Sequence, residues 1–578
     1  MNRPDAEGEY YRLTVDRRLL LARVTGADGR PWFDLRLLHA VDTLAGPDET
    51  LTAPTVSIRR AAGLVIIRTE ADSSRWSHRW TQLNCGPDGL SLTGGVRGSN
   101  TVLTVHAFAG YRPPAGFLPS GSALQSAFSP NPDHPRQIIR HAAEPAVISV
   151  SGSGAEPGVG RWLFTPAPWC LAVSREARVD TQIAGPGEWA WMGVVAPITE
   201  QTFTSLHFGA GAGSLALRLD YEGHTVVTDE FAVPRIDIGF GATNPYQAVE
   251  HYCTHVRAQG TAPQETAPVT LWWRQPLFCG WGAQRAIAER GGGNAAAECT
   301  QSNYDVFLET LAAHRIHPGT VVIDDKWSKC YATCEPDTTK WPDLRGWIAD
   351  RHAAGQRVLL WWKAWDPEGA PPQACVRMPD GTAVALDPSS AAGREVITAA
   401  VRRMLNAADL DADGLKVDFT ASTPSGVELR HTGPAWGSAL LHQLLAVLRQ
   451  AAKAAKPDAL IVTHTPNPAF GDVTDMIRLN DAVWLDAFDP RVTVTDQMTY
   501  RAKIVRAALP GRLIDTDGWY LPGRQFREYV AHQPDLGVPA LYYAGAFDAA
   551  GDDMDDEDFA VVRRNWRRYR AQAALLPP

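Results

Sequence analysis

Two carboxylates stand where bond-cleaving chemistry needs them. Asp413-Gly414-Leu415-Lys416-Val417-Asp418-Phe419 reads as a short apolar strand that nevertheless holds a lysine and ends on an acid. Burying opposite charges is costly unless they serve each other or a ligand. A second acid, Asp481, closes Met476-Ile477-Arg478-Leu479-Asn480-Asp481. Two aspartates at the ends of two strands in an alternating β/α chain suit glycosidic bond cleavage, where one attacks carbon and the other moves a proton. The plainer reading is that Asp418 only neutralises Lys416 or caps the next helix, and the surrounding chain decides between the two.

From residue 266 the pattern repeats strand, loop, helix. Strands are expected at Val269-Trp273, Thr320-Asp324, Arg357-Trp361, Gly414-Asp418, Leu460-His464, Met476-Asn480, Arg512-Thr516 and Val538-Tyr543. Amphipathic helical stretches lie between them, such as Tyr304-Arg315, Pro342-Ala354, Gly393-Ala407, Trp436-Lys453 and Gln497-Leu509. Eight strands alternating with helices predict a (β/α)8 barrel over residues 263–578. A doubly wound open sheet is disfavoured, because no Gly-x-Gly-x-x-Gly follows the first strand. In such a barrel functional groups gather at the C-terminal strand ends. Asp324, Asp325, Trp361, Asp418, His464, Asp481 and Asp517 all fall there on this assignment, and so many acids and aromatics at one rim predict a site.

Residues 1–262 follow another rule. Short alternating runs such as Val56-Ile58, Leu64-Arg68, Val102-Ala107 and Leu215-Leu219 are broken by Gly, Pro, Asp and Asn, which predicts an antiparallel β-sandwich. A connecting helix is expected at Pro245-Gln259, then a linker at Gly260-Thr261-Ala262-Pro263.

Composition narrows the partners. The 578 residues carry a net charge of −9 without a strongly basic run, so nucleic acid is not expected. No run of 18 apolar residues occurs, so no membrane span is expected, and the polar start Met1-Asn2-Arg3-Pro4-Asp5 leads to a cytoplasmic expectation. Oligomeric state is left open, a homo-oligomer included. Cys330 and Cys334 lack the second ligand pair of a zinc site, and free thiols are expected there. Thirteen of the 20 tryptophans follow residue 265, and those at strand ends are candidates for walls against the apolar faces of sugar rings.

Several segments, taken in order, resemble the clan of retaining α-glycosidases that includes glycoside hydrolase families 27, 31 and 36, most closely the α-galactosidase and raffinose-synthase-like members of family 36. Ile323-Asp324-Asp325-Lys326-Trp327 looks like the Asp-Asp-x-Trp motif ending their second barrel strand. Lys340-Trp341-Pro342-Asp343-Leu344-Arg345-Gly346 and Leu359-Leu360-Trp361-Trp362 resemble the next helix and strand. Leu415-Lys416-Val417-Asp418-Phe419 is similar to the strand bearing the nucleophile, and Ile477-Arg478-Leu479-Asn480-Asp481 to the stretch bearing the acid/base. The resemblance implies that Asp418 is the nucleophile and Asp481 the general acid/base. It implies that Asp324 and Asp325 bind sugar hydroxyls, that Lys416 contacts ring hydroxyls, and that Arg478 lies near the reacting carbon. Trp327, Trp361, His464, Asp517 and Trp519 complete the expected substrate-binding set.

The expected reaction is double displacement on a carbohydrate or glycoside, with no metal or organic cofactor. Its carboxyl groups would stand about 5–5.5 Å apart. Lys416, on the same sheet face, should keep Asp418 ionised, whereas burial and a neighbouring carboxylate should raise Asp481 against the opposing pull of Arg478. Transfer to a sugar hydroxyl instead of water shares the first half-reaction and stays open, as does a non-catalytic carbohydrate-binding role. A metal-dependent hydrolase is disfavoured, because His464 lacks an accompanying ligand pair.

Overall fold

The computed structural model describes residues 4–131, 139–150, 164–177, 187–264, 269–481, 493–519, 523–548 and 552–575. Among the described residues two large antiparallel sheets form the N-terminal half, one of ten strands and one of nine. The long strands Ser214–Val227 and Glu230–Ala242 sit inside different sheets and join them. Along His78–Cys85 every second residue is buried, which is the period of a strand with one face in a core. One inward position is Arg79, whose guanidinium meets Asp48 at 2.7 Å, so the core keeps its charge only as a pair.

Helix α1 (Pro245–Ala258) leaves the sandwich, capped by the Asn244 side chain. Then comes the barrel: β1 (Leu277–Cys279), α2 (Trp281–Gly291), α3 (Gln301–Ala313), β2 (Thr320–Ile323), α4 (Leu344–Ala353), β3 (Arg357–Lys363), α5 (Ala391–Leu405) and β4 (Gly414–Asp418). It continues with α6 (Gly437–Ala455), β5 (Leu460–Thr463), β6 (Met476–Arg478), α7 (Val494–Ala508), β7 (Leu513–Asp515), α8 (Gly523–Leu536), β8 (Ala540–Leu541) and α9 (Asp556–Ala573). The eight strands are parallel neighbours in the order β7-β6-β5-β4-β3-β2-β1-β8. The ring closes where Val538 donates its N–H to Ile514 O at 2.7 Å, next to a parallel bridge between Asp515 and Val538. The architecture is a β-sandwich followed by a (β/α)8 barrel, as the sequence predicts.

One strand falls elsewhere than expected. The first barrel strand is Leu277–Cys279; Val269-Trp273 is not a strand, and Leu271–Arg274 forms a 3-10 turn. Trp272 and Trp273 made that segment look like a strand, but their indoles donate to Asp458 Oδ2 (3.0 Å) and to Asp458 O (2.9 Å), just ahead of β5. They cover the N-terminal end of the barrel, opposite the candidate site.

Inside the barrel, alternate residues point to the axis. A small internal space is lined by Leu277, Cys279, Val322, Leu359, Lys416, Val462, Asp515, Ala540 and Tyr542, each inward on its strand or just past its end. Leu415 and Val417 of β4 are fully buried on the other face, toward the helices. Sandwich and barrel are joined through α1, where Arg257 donates to Ala508 O (2.7 Å), and directly, where Tyr500 of α7 donates to Ser129 O (2.7 Å).

Candidate active site

Above that inner layer, at the C-terminal strand ends, lies a cavity of about 260 Å³. It is lined by Trp281, Asp324, Asp325, Trp361, Lys416, Asp418, Phe419, His464, Arg478, Asn480, Asp481 and Trp519. Its size falls near the lower end of small-ligand pockets, roughly 300–1,000 Å³. Period-2 alternation explains the convergence: Lys416 and Asp418, Val462 and His464, and Leu359 and Trp361 occupy successive inward positions.

Arg478, 2% exposed, organises the acids. Its Nη1 lies 3.3 Å from Asp418 Oδ1, its Nη2 donates to Asp481 Oδ1 at 2.7 Å, and its Nε donates to Asp517 Oδ2 at 2.8 Å. One guanidinium therefore touches both candidate catalytic carboxylates and is anchored from behind by a third. Asp418 also accepts from Trp361 Nε1 (3.2 Å) and from the Phe419 N–H (2.9 Å). Burial opposes its ionisation, but Arg478 foremost, with Lys416 behind it, outweighs that cost and holds the carboxyl well below the usual range. Asp481 goes the other way. Burial pushes it up to about 7, with Asp517 and Asp418 adding to the rise against Arg478. Its side chain is 35% exposed, open to the cavity. One acid is thus poised as anion and the other as proton carrier.

The paired acids that follow β2 divide differently from a simple pair. Asp324 is buried, and its Oδ2 accepts from Lys416 Nζ (2.7 Å) and the Cys279 thiol (3.0 Å). Lys416 therefore serves Asp324 directly, and Asp418 only at longer range. Asp325 accepts from the Tyr331 hydroxyl (2.8 Å), and burial pushes it up to about 6. Tyr331 packs edge-on against Trp361, with ring centres 5.9 Å apart.

Of the expected site residues, Asp324, Asp325, Trp361, Lys416, Asp418, His464, Arg478, Asp481 and Trp519 meet at this cavity, and Trp327 and Asp517 do not line it. Trp327 is buried beneath the wall and donates its indole N–H to Trp361 O (2.8 Å), supporting the wall from behind. Asp517 is fully buried and holds Arg478. Asp486 and Asp489, the acids that would be next to test for the proton-transfer role after Asp481, lie outside the described residues. Sequence reasoning missed Trp281, Phe419 and Asn480 as lining residues. Trp281 meets Trp519 edge-to-face at 5.8 Å and extends the aromatic wall. Phe419 and Asn480 adjoin the two candidate catalytic aspartates and take positive φ of 59° and 68°. That left-handed backbone is strained for a bulky residue such as Phe and invisible to hydrophobic patterning. All eight cysteines are free thiols, Cys330 and Cys334 included.

No family model matches the sequence, and no curated protein does. Solved structures do share the fold. A GH31 family sulfoquinovosidase from E. rectale, in complex with an aza-sugar inhibitor, superposes with a TM-score of 0.61 at 9% identity, covering 97% of this chain and 83% of that one. The galactosidase domain of the α-galactosidase–sucrose kinase AgaSK gives 0.53 at 11% identity, covering 99% and 85%. The α-galactosidase TtGalA from Thermus thermophilus, in complex with stachyose, gives 0.52 at 15% identity, covering 88% and 99%. At such identities the likeness establishes the shared architecture of sandwich and barrel. Among the described residues no helix is long and apolar enough to cross a membrane.

Proposed function

We propose that the protein is a retaining α-glycoside hydrolase working by double displacement. The carrying observation is that Arg478 touches both Asp418 and Asp481 while their protonation is driven in opposite directions. Asp418, ionised, attacks the anomeric carbon as Asp481 protonates the departing oxygen; Asp481 then takes a proton from water, which releases the sugar from Asp418. Trp281, Trp361 and Trp519 offer apolar surface to a sugar ring, and Asp325 and Lys416 offer hydroxyl partners. The fold shared with sugar-processing enzymes supports the reading.

Asp418→Asn should keep the fold and lose turnover of nitrophenyl α-glycosides, because an amide cannot form the glycosyl ester. Undiminished turnover would defeat the mechanism. The product anomer, followed by NMR, should match the substrate.

For the sugar, we infer an α-galactose-like configuration from the acid pair Asp324 and Asp325. A buried carboxylate deprived of its hydroxyl partner discriminates strongly between epimers. Asp324 is committed to Lys416, so Asp325→Asn is the cleaner probe. Nitrophenyl α-galactoside should be cleaved faster than α-glucoside, and Asp325→Asn should shrink the ratio. Faster glucoside cleavage would reject the galactose assignment and leave the hydrolase reading in place.

A further inference from the structure

The sandwich reaches His464, one of the residues lining the cavity, through Thr165. Its N–H donates to His464 O at 3.0 Å, and its hydroxyl contacts the hydroxyl of Thr420. Thr420 Oγ1 lies 2.7 Å from His464 Nε2. Two residues past Thr165, Ala167 O accepts from Asn467 Nδ2 at 2.8 Å. One sandwich segment is thereby stitched to the residues that follow both β4 and β5. Thr165, Thr420 and His464 are all buried. On the far side of the ring, His464 Nδ1 stands 4.0 Å from Asp418 Oδ1 and has no hydrogen-bond partner among the described residues.

Burial pushes His464 down to about 4, so the ring is neutral and has a single N–H to place. With the proton on Nε2, the Nδ1 lone pair would face a carboxylate oxygen, a repulsive arrangement. With the proton on Nδ1, the N–H faces that carboxylate instead. The hydroxyls can follow that choice: with Nε2 bare, Thr420 would donate to Nε2 and Thr165 would donate to Thr420. Such a chain of aligned donors is mutually reinforcing.

We propose that Thr165 of the sandwich is a positioning residue that, through the Thr420 hydroxyl, holds His464 as its Nδ1–H tautomer and presents that N–H to a substrate hydroxyl beside Asp418. The substrate hydroxyl rests on the glycosidase reading; the tautomer does not. The sandwich would then set a proton position in the barrel's site as well as scaffold it.

Two-bond nitrogen–proton NMR on protein labelled with 15N-histidine reads the tautomer directly, with His464→Gln identifying the signal. Wild type should show a protonated Nδ1 and a bare Nε2. Thr165→Val should weaken or reverse that preference, and Thr165→Ser should restore it. Should Thr165→Val not fold, Thr420→Val makes the same test from the middle of the chain. An Nε2–H tautomer in wild type, or an unchanged tautomer in a folded Thr165→Val or Thr420→Val protein, would overturn the proposal. In turnover of nitrophenyl α-glycosides, Thr165→Val should lose about tenfold in kcat/KM, the scale of one hydrogen bond, while Thr165→Ser stays close to wild type. Equal losses in both would reduce Thr165 to packing and likewise overturn it. Absence of turnover in wild type on every glycoside tried would reject the proposed function and leave the tautomer result standing.

Discussion

Single residues near Arg478 make the sharpest predictions. Asp481 must be protonated to assist departure, so kcat/KM should fall as pH rises through about 7, where burial places its titration. Asp481→Ala should abolish that alkaline limb. It should also slow substrates with poor leaving groups by roughly 10²–10⁴-fold more than activated aryl glycosides, the usual range of general acid catalysis. A limb that survives the substitution would assign the proton to another group. Asp515, buried beneath the cavity, is likewise pushed up to about 7 by burial and by Asp517. Its carboxyl titrates near 4 when unfolded, so it favours the fold at low pH, and that contribution is lost as pH rises from about 4 through 7. Asp515→Asn should therefore raise Tm relative to wild type more at pH 8 than at pH 5. Equal shifts at both pH values would place the cost elsewhere. The buried Lys416–Asp324 pair has a different signature. Lys416→Met alone strands a buried carboxylate and should cost about 3–5 kcal/mol, the usual loss from breaking a buried pair. Adding Asp324→Asn should recover part of it in urea unfolding.

At the level of elements, the strand ends are held from several sides. The N-terminus of α6 docks on the sandwich, where Ala439 donates its N–H to Gln201 O at 3.0 Å. Gly437 permits that approach, with φ of 53° and a Cβ that would stand 2.0 Å from Phe203 O. Backbone on both sides cannot yield as a flexible side chain can. Gly437→Ala should destabilise by about 1–3 kcal/mol in urea unfolding, and a neutral outcome would show that α6 can shift freely. Since α6 follows the loop leaving β4, a shift there should also lower turnover.

For the whole molecule, the buried apolar residues of sandwich and barrel form one continuous cluster, and α1 packs into both. Separate hydrophobic cores would melt separately, whereas a shared one couples them. Calorimetry should show a single transition, with Thr165→Val lowering it as one. Two resolved transitions would mean that the sandwich is an independent module, and the coupling through α1 would have to be abandoned.

The sequence alone determined what depends on period. Alternation in β4, with Gly414, Lys416 and Asp418 on one face, decides which residues enter the barrel, and the strand–helix grammar decides which end carries the site. Thus Asp418, Asp481, Trp361 and His464 were legible as a group, and the family resemblance added Arg478. Even so, Val269-Trp273 had the composition of a strand and became the barrel's lower cover, because two indoles found partners on Asp458. Only the tertiary structure decided who meets whom across the barrel. Lys416 lies two residues from Asp418 yet bonds to Asp324, 92 positions away, because β2 and β4, with β3 between them, turn both side chains into the barrel, and no local spacing encodes that meeting. For the same reason Trp327 and Asp517 became supports behind the wall, and Thr165, distant in sequence and in another fold unit, came to reach, through the Thr420 hydroxyl, the ring that faces Asp418. Period fixes the face a residue takes; partners across a core follow from packing the whole chain.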